Sequence, residues 1–223
     1  MHHTQKNLIE IKEKIKDKID NLNLSEYNPK IIAVSKTFSE QDILPLIEFG
    51  HVEFGENKVQ EAELKWSKIK EKHDNLKLHM LGKLQTNKVK NAVEIFDYIH
   101  SLDNLKLANK ISNEVQKKAK EIKIFIQVNL GGETQKSGIH PSDLKSFYKQ
   151  CIELNLNIIG TMCIPPDNQD PKPFFKDLLA LNREINLSEI SMGMTNDYLD
   201  ALEYRSTFLR IGTGIFGQRT KQF

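Results

Sequence analysis

The chain has 223 residues, enough for one sizeable core and near the lower limit for a complete β/α barrel. Apolar residues make up 39% and charged residues 28%, which excludes a disordered chain, and a formal charge of +2 is too small to point to nucleic acid. No window approaches the roughly 18–20 consecutive apolar residues of a membrane span, and the N-terminus resembles neither a secretion signal nor a transit peptide, so a cytoplasmic protein is expected.

The first element is an amphipathic helix, with Leu8, Ile11, Ile15, Ile19 and Leu22 spaced three or four apart. Its lysines alternate with acidic residues at helical spacing and read as a solvated face. Asn28-Pro29 stops it. Short apolar runs then predict buried strands at 30–35, 51–55, 77–82, 96–102, 122–130, 157–164, 189–194 and 207–212. Helical stretches fall between them, around 40–49, 57–71, 87–94, 104–120, 142–154, 173–185 and 196–204. Continuous apolar strands separated by helices indicate a parallel sheet covered on both faces. Eight is the number that closes a barrel, with an open doubly wound sheet as the competitor. No linker or low-complexity tract divides the chain, so residues 1–223 are read as a single α/β domain, a (β/α)8 TIM-type barrel. The stretch after the last strand is too short for a full eighth helix, and the extra N-terminal helix is positioned to fill that gap. Cys151 and Cys163 fall on a predicted helix and strand and read as small buried hydrophobes.

Barrel chemistry gathers at the C-terminal ends of the strands. Lys36 follows the apolar run IIAVS there. It is either a rim lysine whose ammonium reaches water or an amine whose pKa is lowered by desolvation so that it attacks an aldehyde. After the last strand, Gly212, Thr213, Gly214 and Ile215 open a GTGIFG loop, either an ordinary glycine-rich turn or a cradle of main-chain N–H groups for a phosphate. Ser206 and Thr207 precede that strand as candidate hydroxyl donors. Strands one and eight are neighbours once the barrel closes, so pyridoxal 5′-phosphate (PLP) would bridge them, its aldehyde at Lys36 and its phosphate at the loop. Arg210 alternates with Leu209 and Ile211 and points into the barrel. There it either keeps a pyridine nitrogen unprotonated or pairs with a carboxylate, Glu53 or Glu56. Three of the four arginines, Arg205, Arg210 and Arg219, cluster near the C-terminus as a candidate anion site. His79 and His100 read as hydrogen-bonded barrel residues, and no metal constellation is evident.

Eight blocks in order carry a resemblance: AVSK (33–36), FGENKVQE (54–61), HMLGKLQTNKVK (79–90), SLDN (101–104), QVNLGGETQKSG (127–138), GTMCIPP (160–166), SMGMTNDYLDALE (191–203) and STFLRIGTGIFGQR (206–219). The chain resembles the pyridoxal phosphate homeostasis proteins, the YggS/PROSC group. That resemblance implies a fold-type III PLP barrel like the N-terminal domain of alanine racemase, acting in vitamin B6 homeostasis. It places the cofactor as a Schiff base on Lys36, with Asn57, Met192, Ser206, Thr207, Arg210 and the 212–215 loop around ring and phosphate. Two positions depart from the pattern. Arg205 replaces a usual glycine and either crowds the phosphate loop or points to solvent, and Thr161 replaces a larger apolar residue.

The rival to a carrier without substantial catalysis is a PLP-dependent amino-acid racemase, which needs an acid/base on each face of the reacting carbon. No second base stands out, since Tyr198 and Tyr204 lie on a predicted helix where packing is their commoner role. A third reading is a barrel enzyme for some other phosphate ester. Lys136, in a loop at the same mouth, is either a solvated lysine or a transient second acceptor of PLP. Expected partners are PLP and PLP-dependent apo-enzymes, with no nucleic acid and no membrane, and the expected state is a monomer or weak dimer.

Overall fold

A computed structural model of the chain describes residues 1–133 and 135–218. Among them, eight parallel strands close into a barrel in sequence order: β1 (Lys30–Val34), β2 (Glu53–Glu56), β3 (Lys77–Met80), β4 (Tyr98–Leu102), β5 (Lys123–Gln127), β6 (Ile158–Met162), β7 (Glu189–Met194) and β8 (Phe208–Ile211). Closure is the pairing of β1 with β8, which sets Lys30 opposite Phe208 and Ala33 opposite Ile211. The helices around the barrel are α1 (His3–Asn21), α2 (Glu40–Glu48), α3 (Val59–Lys72), α4 (Val89–Ile95), α5 (Leu105–Lys118), α6 (Leu144–Glu153), α7 (Lys172–Glu184), α8 (Tyr198–Glu203) and α9 (Thr213–Phe216). The architecture is therefore a (β/α)8 barrel with an extra N-terminal helix.

The strands read as unbroken apolar runs because both of their faces are buried. Outward residues pack against the helices. Inward ones form a second cluster of Ile32, Val34, Leu81, Tyr98, Phe125, Met162 and Phe208. In β8 the pleat alternates, sending Phe208 and Arg210 inward and Leu209 and Ile211 out. The interior is aromatic: His79 stacks on Tyr98 at 4.2 Å between ring centres, and His100 on Phe125 at 4.3 Å.

α1 buries Leu8, Ile11, Ile15 and Ile19, the face its spacing predicts. It lies against α8 and α9 on one side, where Asn7 Nδ2 donates to the Ile215 carbonyl at 2.8 Å, and against α2 on the other, where Gln5 Nε2 donates to the Pro45 carbonyl at 2.8 Å. The N-terminal helix thus completes the outer ring beside the four-residue α9. Cys151 and Cys163 are free and buried, and burial pushes both thiols up to about 12. Among the described residues no helix is long and apolar enough to cross a membrane, and no three His, Cys, Asp or Glu side chains gather as a metal site.

Candidate functional site

The residue just before Lys36 is held rigidly. Ser35 is fully buried, its N–H donates to the Gly55 carbonyl at 2.9 Å, and its hydroxyl donates to Glu56 Oε1 at 2.8 Å. Lys65 Nζ donates to the Ser35 carbonyl at 2.8 Å and to Glu56 Oε1 at 2.9 Å, and Trp66 Nε1 completes the set at 3.0 Å. After Lys36, Thr37 turns left-handed at φ +68° and its N–H donates to Glu61 Oε1. Lys36 therefore projects from a main chain fixed on both sides, half-buried, into a cavity of about 450 Å³.

That cavity sits at the C-terminal mouth and lies within the range of small-ligand clefts. Lys36, Asn57, Thr195, Arg210, Gly212 and Thr213 line it, over apolar walls from Val34 and Leu81. Another cleft, of about 550 Å³, opens at the other end between Tyr27, Arg183, Arg205 and Thr207, away from the strand ends where barrel chemistry gathers.

Arg210 is buried below Lys36's cavity. Its Nη1 donates to Ser191 Oγ at 2.7 Å and its Nη2 to the Cys163 carbonyl at 2.8 Å. No carboxylate forms an ion pair with it among the described residues: Glu53 is taken by His79, and Glu56 by Ser35, Lys65 and Trp66. The carboxylate partner offered as the alternative from sequence is thereby displaced. Burial lowers the guanidinium's pKa, and the nearby Asp197 carboxylate offsets part of that.

At the loop after β8, Gly212 caps the single turn of α9, and Thr213 faces the cavity. The Gly214 N–H donates to Thr195 Oγ1 at 3.2 Å. A Cβ on Gly214 would lie 3.0 Å from the Ile211 side chain and 3.2 Å from that of Thr195, so a larger residue would push those side chains by a few tenths of an ångström. Ile215 plays a different part from the one expected. Its side chain is fully buried, its N–H is spent on the Gly212 carbonyl at 2.9 Å, and its carbonyl anchors α1.

Three expected residues are not brought to the mouth. Ser206 and Thr207 precede β8 and so lie at its N-terminal end, about 13 Å down a four-residue strand. The Ser206 hydroxyl donates to the Met192 carbonyl at 2.7 Å, and the Thr207 hydroxyl donates to the Ile190 carbonyl at 3.1 Å. Both stitch β8 to β7. Met192 is fully buried and packs in the layer between barrel and helices, contributing backbone to that stitch. Thr195 lines the mouth cavity together with Thr213, and is carried there by Gly193 at φ +88°, where a Cβ would sit 2.7 Å from Ala201. The signal for it was in the sequence: it follows the seventh strand, where barrel phosphate sites recur.

Asn57 follows β2 and separates the main cavity from an adjoining one of about 240 Å³ that contains Lys136, Gln127 and Asn129. Lys136 Nζ pairs with Glu133 at 2.7 Å. Tyr198 and Tyr204 do not line the main cavity. Arg205 is exposed at the far end, with its guanidinium 5.7 Å from the Tyr27 ring, so it does not crowd the phosphate loop. Arg219 lies outside the described residues.

The profile of the alanine racemase N-terminal domain matches residues 12–220. A pyridoxal phosphate homeostasis protein of Aquifex aeolicus is 35% identical over 222 residues, covering 95% of this chain and 96% of its own. The chain belongs to the pyridoxal phosphate homeostasis protein family. Among solved structures, PipY of Synechococcus elongatus with PLP bound superposes with a TM-score of 0.80 at 32% identity, covering 91% of this chain and all of its own. An alanine racemase of Clostridium difficile superposes at 0.71 with 15% identity and is covered over 57% of its length, a likeness of fold alone. Members of the homeostasis family thus share the barrel with racemases.

Proposed function

We propose that the whole of residues 1–223 acts as one barrel that binds PLP as a Schiff base on Lys36 and serves as a carrier and regulator in intracellular PLP homeostasis, without substantial catalysis. The observation that carries this reading is the convergence of Lys36, Arg210, Thr195, Gly212 and Thr213 on one cavity. The donor set fits the cofactor. An amine stands at one wall, the positive guanidinium of Arg210 on the floor, and the Thr195 and Thr213 side chains at the other wall. PLP supplies an aldehyde that condenses with an amine and releases water. Lys36 supplies that amine from a fixed backbone. Thr195, Thr213 and the start of α9 hold the phosphate, and the apolar Val34 and Leu81 exclude water from one side of the ring. Arg210, permanently charged, disfavours protonation of a pyridine nitrogen beside it and weakens the ring as an electron sink, which suits holding a cofactor better than using it.

PLP-dependent apo-enzymes are the proposed recipients, in the cytoplasm, with the carrier a monomer or weak dimer. The test is the visible spectrum of the protein titrated with PLP, before and after borohydride, beside Lys36→Ala. A borohydride-sensitive yellow species is expected in the parent alone. An equal species in both proteins overturns the Lys36 assignment, and conversion of L- to D-amino acids at ordinary enzymatic rates overturns the carrier reading. Lys136, in the adjoining cavity, is the proposed second acceptor. Peptide mapping of the reduced protein with label confined to Lys36 removes that role.

A further inference from the structure

A continuous line of buried hydrogen bonds runs through the barrel from its N-terminal end to the mouth, with each member on a different strand. Glu53 Oε2 on β2 meets His79 Nε2 on β3 at 2.7 Å. His79 Nδ1 meets His100 Nε2 on β4 at 2.9 Å, and His100 Nδ1 meets Ser191 Oγ on β7 at 2.9 Å. Ser191 Oγ then accepts from Arg210 Nη1 on β8 at 2.7 Å. His79, His100 and Ser191 are fully buried, and Arg210 is 5% exposed.

The chemistry of the two ends fixes the direction of the whole line. Arginine only donates and an ionised carboxylate only accepts. Ser191, already accepting from Arg210, directs its single proton to His100 Nδ1. His100 must then carry its proton on Nε2 and donate to His79 Nδ1, and His79 must carry its proton on Nε2 and donate to Glu53. Every contact is satisfied with both imidazoles neutral and charge only at the ends. The reverse direction would point the bare Nε2 of His79 at Glu53 and require a protonated carboxyl. Burial pushes that carboxyl up, but the bond from His79 and the Lys30 ammonium 3.9 Å away hold it below its ordinary value. Burial likewise keeps both histidines below their ordinary values, His100 far below.

We propose that Glu53, His79, His100 and Ser191 are positioning residues that aim the Arg210 guanidinium at the mouth and so set, from inside the barrel, the electronic state and affinity of the bound cofactor. The inference rests on the PLP reading for its consequence, but its geometry is testable without PLP. The Nη2 bond to the Cys163 carbonyl alone leaves the guanidinium free to swing about that contact. The Ser191 bond supplies the second point that fixes its plane.

Two measurements test it. In the cofactor-free protein, 15N NMR of the imidazoles should show His79 and His100 as neutral rings protonated at Nε2. A charged ring, or a proton on Nδ1 of His100, overturns the proposal whatever the protein binds. In the PLP-loaded protein, His100→Phe keeps the stack on Phe125 but cuts the line, Ser191→Ala cuts it next to Arg210, and His100→Gln keeps one donor and one acceptor. Folded His100→Phe and Ser191→Ala should retain the reducible adduct, shift its absorbance maximum and bind PLP about tenfold more weakly, as expected for one lost charge-assisted bond. His100→Gln should restore most of both. Parent-like spectra and affinity in the two cut variants overturn the proposal. Expected tautomers in a parent protein that forms no adduct would instead sink the PLP reading and leave the line of bonds standing.

Discussion

Arg205 carries φ +61°, a conformation that costs a side chain about 1 kcal/mol relative to glycine, and glycine is the residue expected there from the family pattern. Arg205→Gly should therefore be more stable than Arg205→Ala by about 1 kcal/mol, the reverse of the order in a helix, as read from urea midpoints. Thr161 is paid for differently: its hydroxyl donates to Asn182 Oδ1 at 2.9 Å, and Asn182 Nδ2 bonds the Leu187 carbonyl at 2.6 Å. Thr161→Val should leave that buried oxygen unpaired and cost about 1–3 kcal/mol in the same measurement. At the mouth, Thr195→Val should weaken PLP binding about tenfold in a titration while leaving the Lys36 adduct in place. Lys36 and Arg210 were legible because one ends an apolar strand and the other alternates within one. Ser206, Thr207 and Thr195 were not told apart. Ser206 and Thr207 precede β8, which in a parallel barrel puts them at the end away from the mouth, whereas Thr195 follows β7 and reaches it; the end decides whether a hydroxyl meets ligand or stitches strands.

At the scale of elements, the spacing of Leu8, Ile11, Ile15 and Ile19 announced both α1 and the face it buries. Leu8 is fully buried, so Leu8→Ala should cost about 2–5 kcal/mol in denaturant unfolding. Element ends were read less well. The second strand runs from Glu53 to Glu56 and does not begin at His51, because the His51 ring turns back to bond the Glu53 carbonyl at 2.8 Å and Gly50 takes φ +86°. The apolar run around it hid a turn built from side chains. The loop after β8 likewise contains a helical turn, α9, which short-range glycine content masks.

For the molecule as a whole, eight apolar runs separated by helices gave a parallel sheet buried on both faces and favoured the barrel over an open doubly wound sheet; the β1–β8 pairing decides between them. The interior network was not legible: His79 and His100 could be placed on strands, but their mutual contact depends on the shear that staggers neighbouring strands. Three buried neutral histidines also make stability pH-dependent. Burial lowers His51 to about 4 and lowers His79 and His100 as well, so the unfolded chain, with ordinary values near 6.5, binds more protons as pH falls below that point. Unfolding free energy should hold above about pH 6.5 and decline below it, with His51 alone removing roughly 3 kcal/mol by about pH 4. A flat profile between pH 7 and 5 would count against three uncharged rings in the core.

The contact between Asn7 and Ile215 spans 208 positions, and β1 waits for β8 to seal the barrel. On the ribosome, α1 therefore emerges roughly 10–40 s before α9 at ordinary synthesis speeds, while α2 follows it closely. Until β8 and α9 arrive, that side of α1's apolar stripe is open to chaperones.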